Sequence, residues 1–361
     1  MTLTSITPTT AQIADPLGAV IGQDQAVAQL RNSVAHPLHA YMFVGPRGSG
    51  RRQAAAAFAA ELLANSDPDG AERHRKLAVA EQHPDLFILE PEGRALLVDE
   101  AAQLITEASR SPVEGTRKVL VVDRFHTAEA RVAPKLLKTI EEPPSPVVFI
   151  LISEEVPLEH ITVASRCVRI DFGPVSRDAI EQLLVSEGVD AARSAEVAGA
   201  SNGSVERARL LANDDHFAAR RDAWRSVPSR LDGTGASVAV LVDELRELID
   251  AAQAPLVARH EVERADLDRR EEELGTRGSG RKLLEARHKR EIRSVRDDEL
   301  SFGLGTVGGV YRHVLIDHPM PSIIVSALQR LSAAGEALGR NPNEKLLLLA
   351  LFVELPTLSS S

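Results

Sequence analysis

The sequence has a single cysteine, no long apolar run and no secretory signal pattern. With Cys167 alone, an intrachain disulfide and a zinc site built from several cysteines are both excluded. The apolar stretch Leu346–Val353 near the C-terminal end is too short to cross a bilayer. At the N-terminal end, no basic segment precedes an apolar core, as a secretory signal requires. From these absences we expect a soluble, cytoplasmic protein that makes no membrane contact.

Positive charge is also scarce relative to negative charge. Lys and Arg number 42 against 52 Asp and Glu, which gives a formal net charge of -10. Such a chain does not hold DNA by bulk electrostatic attraction alone, because the phosphate backbone is itself negative. Its 361 residues are enough for two or three domains with sizeable cores.

Four apolar runs in the first half have the composition of buried strands, and helical patterns lie between them. The runs are Tyr41–Val44, Asp85–Glu90, Lys118–Asp123 and Val147–Ser153. Strands that alternate with helices at this spacing predict a doubly wound α/β domain with a parallel sheet. Beyond Asp171 the strand signals fade, and helical periodicity continues to the end of the chain. We therefore predict an α/β N-terminal domain followed by helical domains.

A glycine-rich turn follows the first apolar run and leads into an alanine-rich helix. Gly45, Gly48 and Gly50 have the spacing of a P-loop, in which backbone N–H groups and a helix N-terminus hold a phosphate. The two side chains that complete the motif are altered. Arg51 stands where a lysine binds phosphate, and Arg52 stands where a Ser or Thr hydroxyl binds Mg²⁺. We predict a degenerate P-loop without hydrolytic function, and the sequence leaves open whether it still holds a nucleotide or a phosphate.

The strand Lys118–Asp123 ends on an acidic residue, as a Walker B strand does. Asp123 is thus the residue that would support Mg²⁺. An active ATPase of this architecture needs a glutamate next to it, to polarise the attacking water. Here that residue is Arg124, whose positive side chain cannot act as a base. The phosphate loop, the metal ligand and the water activator are all altered, so we expect no catalysis by this chain itself.

The tripeptide Ser165-Arg166-Cys167 lies between the strand Val147–Ser153 and the apolar run Val168–Phe172. Alone it is a weak signal, because an exposed arginine is more often a salt-bridge partner. In this architecture, however, the end of the domain faces the nucleotide pocket of a neighbouring subunit. An arginine there can neutralise charge on a transferring γ-phosphate, commonly worth ~10³–10⁵ in rate.

Six segments in the first half carry a family resemblance. They are IGQDQAV (Ile21–Val27), FVGPRGSGRR (Phe43–Arg52), HPDL (His83–Leu86), VDEAAQL (Val98–Leu104), LLKTIEEPP (Leu136–Pro144) and ASRC (Ala164–Cys167). In this order and spacing they resemble the delta-prime family of bacterial DNA polymerase III clamp-loader subunits, which belongs to the AAA+ class. LLK-x-x-EEPP and SRC together are the more specific part, because many nucleotide-binding proteins share the P-loop pattern.

The resemblance implies a non-hydrolysing, comparatively rigid subunit of a pentamer that also contains three gamma/tau copies and one delta. Arg166 would act in trans as an arginine finger for the ATP of the adjacent gamma/tau subunit, with Ser165 and Cys167 shaping its loop. The complex would load the sliding clamp onto primed DNA, as part of a nucleotidyltransferase holoenzyme. The implied domains are an AAA+ RecA-like domain over 1–173, a small helical lid over 174–226 and a helical collar for oligomerisation over 227–361.

Two departures from the family pattern bear on ligands. Many relatives carry a four-cysteine zinc module after the P-loop helix, but 66–82 contains no cysteine, so we expect no zinc and no required cofactor. His74 and His83 lack cysteine partners, and the polar stretch Ser66–Arg75 is predicted to be a surface connection. In the lid, Glu206 occupies the place of the arginine in the G-S-x-R motif of ATP-using relatives.

Two other functions stay open at this point. A divergent AAA+ ATPase that still binds or hydrolyses ATP is opposed by Arg51, Arg52, Arg124 and Glu206. A separate DNA-binding or adaptor protein is opposed by the acidic net charge and the placement of the SRC tripeptide. The charged segment 257–300 reads as a helical hairpin with a flexible glycine-rich turn at 275–280, and a solvated surface is favoured over a nucleic-acid contact.

Overall fold

The structure is a computed structural model that describes residues 14–91, 95–143, 146–274, 281–338 and 342–358. It divides into two compact units, 1–212 and 213–361. None of the helices among these residues combines the length and the apolar character needed to cross a bilayer.

A five-stranded sheet forms the centre of the first unit. Its strands are β1 (Ala40–Val44), β2 (Leu86–Leu89), β3 (Lys118–Val122), β4 (Val147–Ser153) and β5 (Val168–Asp171). The strand order is β2-β3-β4-β1-β5, and all four pairings are parallel. Every residue of β1, β3 and β4 is buried, which explains why these strands are apolar apart from Lys118 at the start of β3 and Ser153 at the end of β4. The predicted parallel α/β domain is confirmed.

Helices cover both faces of this sheet. They are α1 (Asp24–Val34), α2 (Arg51–Ser66), α3 (Ala71–Val79), α4 (Val98–Ala108), α5 (Val132–Glu141) and the single turn α6 (Ile161–Ala164). On one face, Tyr41 and Phe43 of β1 join a core with Phe58 of α2. On the other, alternate sheet residues pack with apolar side chains of α4, α5 and α6. Because the chain crosses the sheet in this way, the carboxyl ends of β1, β3 and β4 share one edge, where ligands bind in such sheets.

The stretch Ser66–Arg75 differs from its predicted role as a surface connection. Helix α3 begins at Ala71 within it and packs closely on α2. His74 and Ala78 of α3 are buried. The prediction was wrong because only one apolar residue, Ala71, lies in the polar half of this helix, while an unrecognised buried histidine anchors it.

Three short helices complete the first unit: α7 (Arg177–Ser186), α8 (Ala191–Ala200) and α9 (Val205–Ala212). Side-chain oxygens cap two of them, because Ser176 accepts from the N–H of Ala179, and Asp190 accepts from the N–H groups at 192 and 193. These helices correspond to most of the lid proposed for 174–226. The remaining residues of that range belong to the second unit.

Regular structure in the described part of the second unit is helical. The helices are α10 (Phe217–Arg230), α11 (Gly235–Ala252), α12 (Ala254–Leu274), α13 (Arg281–Val314), α14 (Pro321–Leu338) and α15 (Glu344–Glu354). The predicted charged hairpin corresponds to α12 and the first part of α13. Its predicted turn, 275–280, lies outside the described residues. Helix α13 continues well past the predicted end at residue 300, because apolar side chains beyond that point enter the core.

The hairpin is less solvated than predicted. His260 of α12 and His288 of α13 are buried and stacked, with ring centroids 3.8 Å apart. Each ring reaches a carboxylate on the other helix, since His260 Nε2 lies 2.7 Å from Glu291 and His288 Nε2 lies 2.9 Å from Glu263. A polar but buried seam therefore joins the two charged helices.

The core of the second unit depends on a close approach between α10 and α13. The ring of Trp224 is fully buried and lies directly against the backbone of Gly303, where an added Cβ would overlap the indole. Nearby, the guanidinium of Arg220 is buried and paired with Asp214 and with Glu299, at 3.1 Å from the latter. Because Gly303 lacks a side chain, the two helices can approach closely enough to enclose this tryptophan.

We predict that Gly303→Ala destabilises the chain although alanine has the higher helix propensity. The new methyl group would displace Trp224 and cost about 1–3 kcal/mol of unfolding free energy. Gly305→Ala in the same helix is the matched control, because nothing lies within 4 Å of its Cβ position, and it should stabilise the chain by up to ~1 kcal/mol. Urea denaturation followed by tryptophan fluorescence measures both. Equal effects of the two substitutions would contradict the packing argument.

Candidate functional site

The degenerate P-loop lies at the carboxyl end of β1, in front of α2. The N–H of Gly45 donates to the carbonyl of Ser153 at the end of β4, at 3.2 Å. Gly48 and Gly50 have φ angles of 78° and 83°, which favour glycine, and α2 begins directly afterwards. The loop and the helix N-terminus that could hold a phosphate are therefore both present.

Arg51, in the lysine position, is buried and turned to the sheet. Its Nη1 donates to the carbonyl oxygen of Ser153, and only 8% of the residue is exposed. Burial lowers the pKa of Arg51, although Glu154 and Asp123 oppose the shift. The guanidinium of Arg51 therefore binds the carbonyl of Ser153, whereas a lysine at this position would reach the phosphates.

Arg52, in the hydroxyl position, is held by three carboxylates. Its Nε and Nη2 bind both oxygens of Glu81, at 2.9 and 2.7 Å. Its Nη1 reaches Glu90 at 3.0 Å and the Walker B residue Asp123 at 3.4 Å. Hydrogen bonding to Glu81 raises the pKa of Arg52 well above its ordinary value. A fixed positive charge therefore binds the carboxylate that would otherwise support Mg²⁺.

The residue after Asp123 is Arg124, whose backbone is in the left-handed region with a φ of 49°. Its Nη2 donates to the carbonyl of Pro91 at 2.6 Å, in the segment after β2. Its backbone N–H donates to Asp123 Oδ1 at 2.8 Å, while Asp123 Oδ2 faces Arg52. Both oxygens of Asp123 thus have protein partners, and no carboxylate stands at the position of the water activator.

Gln23, just before α1, and Ser204, just before α9, contact the P-loop within the same unit. Gln23 Nε2 donates to the carbonyls of Ser49 and Gly173, at 3.0 and 2.7 Å. The side chain of Ser204, in front of α9, lies where a side chain on Gly48 would be. Glu206, in the place of the family arginine, is exposed, whereas the next residue, Arg207, is buried and donates to the carbonyl at 200.

Arg166 lies just after α6 and is separate from the P-loop. Its Nε donates to Glu141 Oε1 at the end of α5, and its Nη1 donates to the carbonyl of Thr162 at 2.8 Å. About 40% of its side chain is exposed. The structure thus brings together the P-loop and Walker B residues, while Arg166 stands on another surface with no bond to either among the described residues.

The neighbours of Arg166 in the tripeptide close the turn that carries it. Ser165 Oγ donates to the carbonyl of Thr162 at 2.9 Å and lies 3.3 Å from Arg166 Nη1. The thiol of Cys167 donates to the carbonyl of Val163 at 3.3 Å. Burial raises the pKa of Cys167 to about 12, so the sulfur remains a neutral thiol near pH 7. These contacts support the turn and do not make Cys167 a nucleophile.

His74 and His83 form a buried pair, 2.7 Å apart between Nδ1 and Nε2. Together with Glu114 they could place three ligand atoms within 4.8 Å of one another. The hydrogen bonds assign a different role, however. His83 Nδ1 accepts the N–H of Asp85, so in the neutral ring Nε2 carries the proton and donates to His74. His74 then donates from Nε2 to Asp67 at 3.0 Å. With the lone pair of Nε2 replaced by a proton, His83 is not arranged to bind a metal ion here.

Asp85, in the same HPDL segment, is fully buried and organises the loop before β3. Its two oxygens accept the backbone N–H groups at 113, 114 and 115, at 2.5, 2.9 and 2.8 Å. Burial raises the pKa of Asp85, but these three donors outweigh burial and hold the pKa below its ordinary value. HPDL is therefore a structural motif in this chain.

Several residues of the site were missed by the sequence reasoning. They are Gln23, Glu81, Glu90, Glu141 and Ser204. Glu90 could have been found, because it follows β2 as Asp123 follows β3, and these strands are neighbours in register. The other contacts join segments far apart in the chain or in different elements, and no local pattern indicates them.

Known proteins resemble this chain over the segment that contains the site. Residues 22–176 match a family model described as DNA polymerase III, delta subunit. The chain is 29% identical over 185 residues to DNA polymerase III subunit delta' of Bacillus subtilis, covering 50% of this chain and 56% of the relative. It is 34% identical over 148 residues to the delta' subunit of Pseudomonas aeruginosa, covering 39% and 45%. It is 31% identical over 186 residues to the tau subunit of Bacillus subtilis, covering 47% and 33%.

The matched segment contains the P-loop, Asp123 and the Arg166 turn. The resemblance to DNA polymerase III delta-prime subunits, predicted from the motifs, is thus confirmed over this part of the chain. The chain spans about half the length of the delta' relatives it matches.

We predict that Asp85→Asn lowers the unfolding free energy by about 1–3 kcal/mol at pH 7, because buried N–H groups lose a charged acceptor. The folded-state pKa of Asp85 lies below its unfolded value, so the carboxylate stabilises the fold above the unfolded pKa and loses this effect as pH falls through the folded pKa. The difference between wild type and variant should therefore shrink from pH 7 towards pH 3. Denaturant unfolding at several pH values measures it. A constant difference would contradict the assignment.

Proposed function

We propose that this chain, whose residues 22–176 resemble DNA polymerase III delta-prime subunits, is a non-hydrolysing subunit of a bacterial clamp loader. It supplies Arg166 to the ATP site of a neighbouring gamma/tau subunit and acts in the cytoplasm. Through the complex, which also contains delta, it takes part in loading the sliding clamp onto primed DNA. The regions 1–173, 174–226 and 227–361 then serve as AAA+ domain, lid and oligomerisation collar.

The observation that carries the proposal is the position of Arg52 between Glu81, Glu90 and Asp123. Hydrolysis in this class requires Mg²⁺ at the phosphates and a base for the water. Here a guanidinium occupies the carboxylate that would support the metal, and Arg124 replaces the base. These contacts oppose the alternative of a divergent ATPase.

The surface around Arg166 supports a role in trans. Its guanidinium is exposed at the end of a short turn, so another subunit can reach it. Leu158 and Ile161, just before it in the chain, are 85% and 56% exposed. Large apolar side chains beside an exposed arginine are typical of a surface that another protein covers.

We expect the purified chain to release no phosphate from ATP in the presence of Mg²⁺. Addition of Mg²⁺ should also leave any binding of ATP unchanged, because Arg52 already neutralises Asp123. Phosphate release and an ATP titration, with and without Mg²⁺, measure both, and a gamma/tau subunit serves as the active control. Turnover that disappears in Arg51→Ala would instead identify an unusual ATPase.

In a loader reconstituted with gamma/tau and delta subunits, we expect Arg166→Ala to silence one ATP site. If three gamma/tau copies are present, about one third of the single-turnover phosphate release should slow by ~10³–10⁵. Arg169→Ala is the matched control, because this nearby exposed arginine pairs with Asp171. An Arg166→Ala loader with unchanged ATP hydrolysis and clamp loading would show that Arg166 is not the finger.

A further inference from the structure

We propose that Glu141 is a positioning residue for Arg166, which holds the arginine side chain in the orientation that presents it to the neighbouring subunit. The proposal rests on the proposed function of Arg166. It adds a second residue, from a different helix and from the LLKTIEEPP segment, to the machinery that acts on the neighbour's ATP. Glu141 itself is not placed at the reacting atoms.

The geometry of the ion pair leaves the far end of the arginine available. Glu141 Oε1 accepts from Nε, the nitrogen closest to the chain, and the carbonyl of Thr162 accepts from Nη1. Nη2 has no partner among the described residues. Because a guanidinium presents its donors in a rigid, planar fork, two fixed nitrogens determine the direction of the third. The direction of Nη2 is therefore set by Glu141 and Thr162 together.

The protein core fixes both ends of this arrangement. Glu141 is the last residue of α5 and follows Ile140, which is completely buried. On the other side, Val163 of α6 is also completely buried and lies in the same core cluster. The backbones that carry Glu141 and Arg166 are thus anchored in one core, while the two side chains extend into solvent. The distance between the two backbones is therefore set by packing and does not depend on the ion pair.

The ion pair is better suited to orientation than to stability. Both side chains are about 40% exposed, and exposed pairs add little to folding because water screens them. An arginine side chain has many rotamers, however, and a misdirected guanidinium cannot stabilise a transition state. Glu141 restricts those rotamers at Nε and the carbonyl of Thr162 restricts them at Nη1, so that the plane of the guanidinium is fixed.

The test uses the complete reconstituted loader and follows phosphate release in a single turnover. The phase that Arg166→Ala removes identifies the ATP site next to this chain. In Glu141→Ala we expect this phase to keep its amplitude and slow by about tenfold. The ATP concentration for half-maximal rate should stay within about twofold, because the neighbour's own loop binds the nucleotide. Glu141→Gln, which keeps an acceptor, should recover part of the rate.

Two comparisons separate this effect from a structural one. Glu142→Ala is the matched control, because Glu142 is the next residue in the chain and is also exposed. This substitution should leave the rate and amplitude of the phase unchanged. In a chain that already carries Arg166→Ala, the further substitution Glu141→Ala should have no effect, because nothing remains to be positioned.

The outcomes distinguish the two proposals. If Arg166→Ala leaves phosphate release unchanged, the proposed function fails and Glu141 loses its role with it. If Arg166→Ala removes a phase but Glu141→Ala matches Glu142→Ala, only the positioning role is overturned. A faster phase in Glu141→Ala, or an equal slowing with and without Arg166, would also overturn it, since Glu141 would then restrain the arginine or act elsewhere.

Discussion

The candidate site depends on one interaction, the binding of the Arg52 guanidinium by Glu81, Glu90 and Asp123. Without a cation, the carboxylates gathered around Arg52 would repel one another. Arg52 provides the compensating charge from α2 itself. It thereby joins the P-loop helix, the end of β2 and the end of β3.

Much of the first unit could be predicted from the sequence, because its signals are local. The buried strands β1, β3 and β4 are read from continuous apolar runs, since a parallel sheet covered on both faces needs no polar alternation. The P-loop is recognised from the spacing of its glycines, and Gly48 and Gly50 have positive φ angles that favour glycine. Pro134 lies in the first turn of α5, where a proline is tolerated because its backbone needs no N–H partner.

What the sequence did not predict depends on distant or competing contacts. The pairing of Arg52 with Glu81 joins residues 29 positions apart through a turn with no recognisable motif. Helix α3 was missed because its apolar pattern is weak, and its burial depends on the histidine pair with His83. Glu141 was recognised only as part of a family motif, since nothing in its neighbourhood indicates that Arg166 folds back onto it. Charge pairing of this kind is decided by tertiary structure and not by spacing along the chain.

Helix α13 has a mechanical consequence. Its 34 residues span about 51 Å without interruption, from the charged hairpin to the core of the second unit. The same rod carries His288 near one end and Gly303 against Trp224 further along. Because α13 is one continuous helix, a rotation of the part near His288 would also move Gly303 relative to the indole ring. The close contact between Gly303 and Trp224 would resist that rotation, so a force on the hairpin would be transmitted to the hydrophobic core.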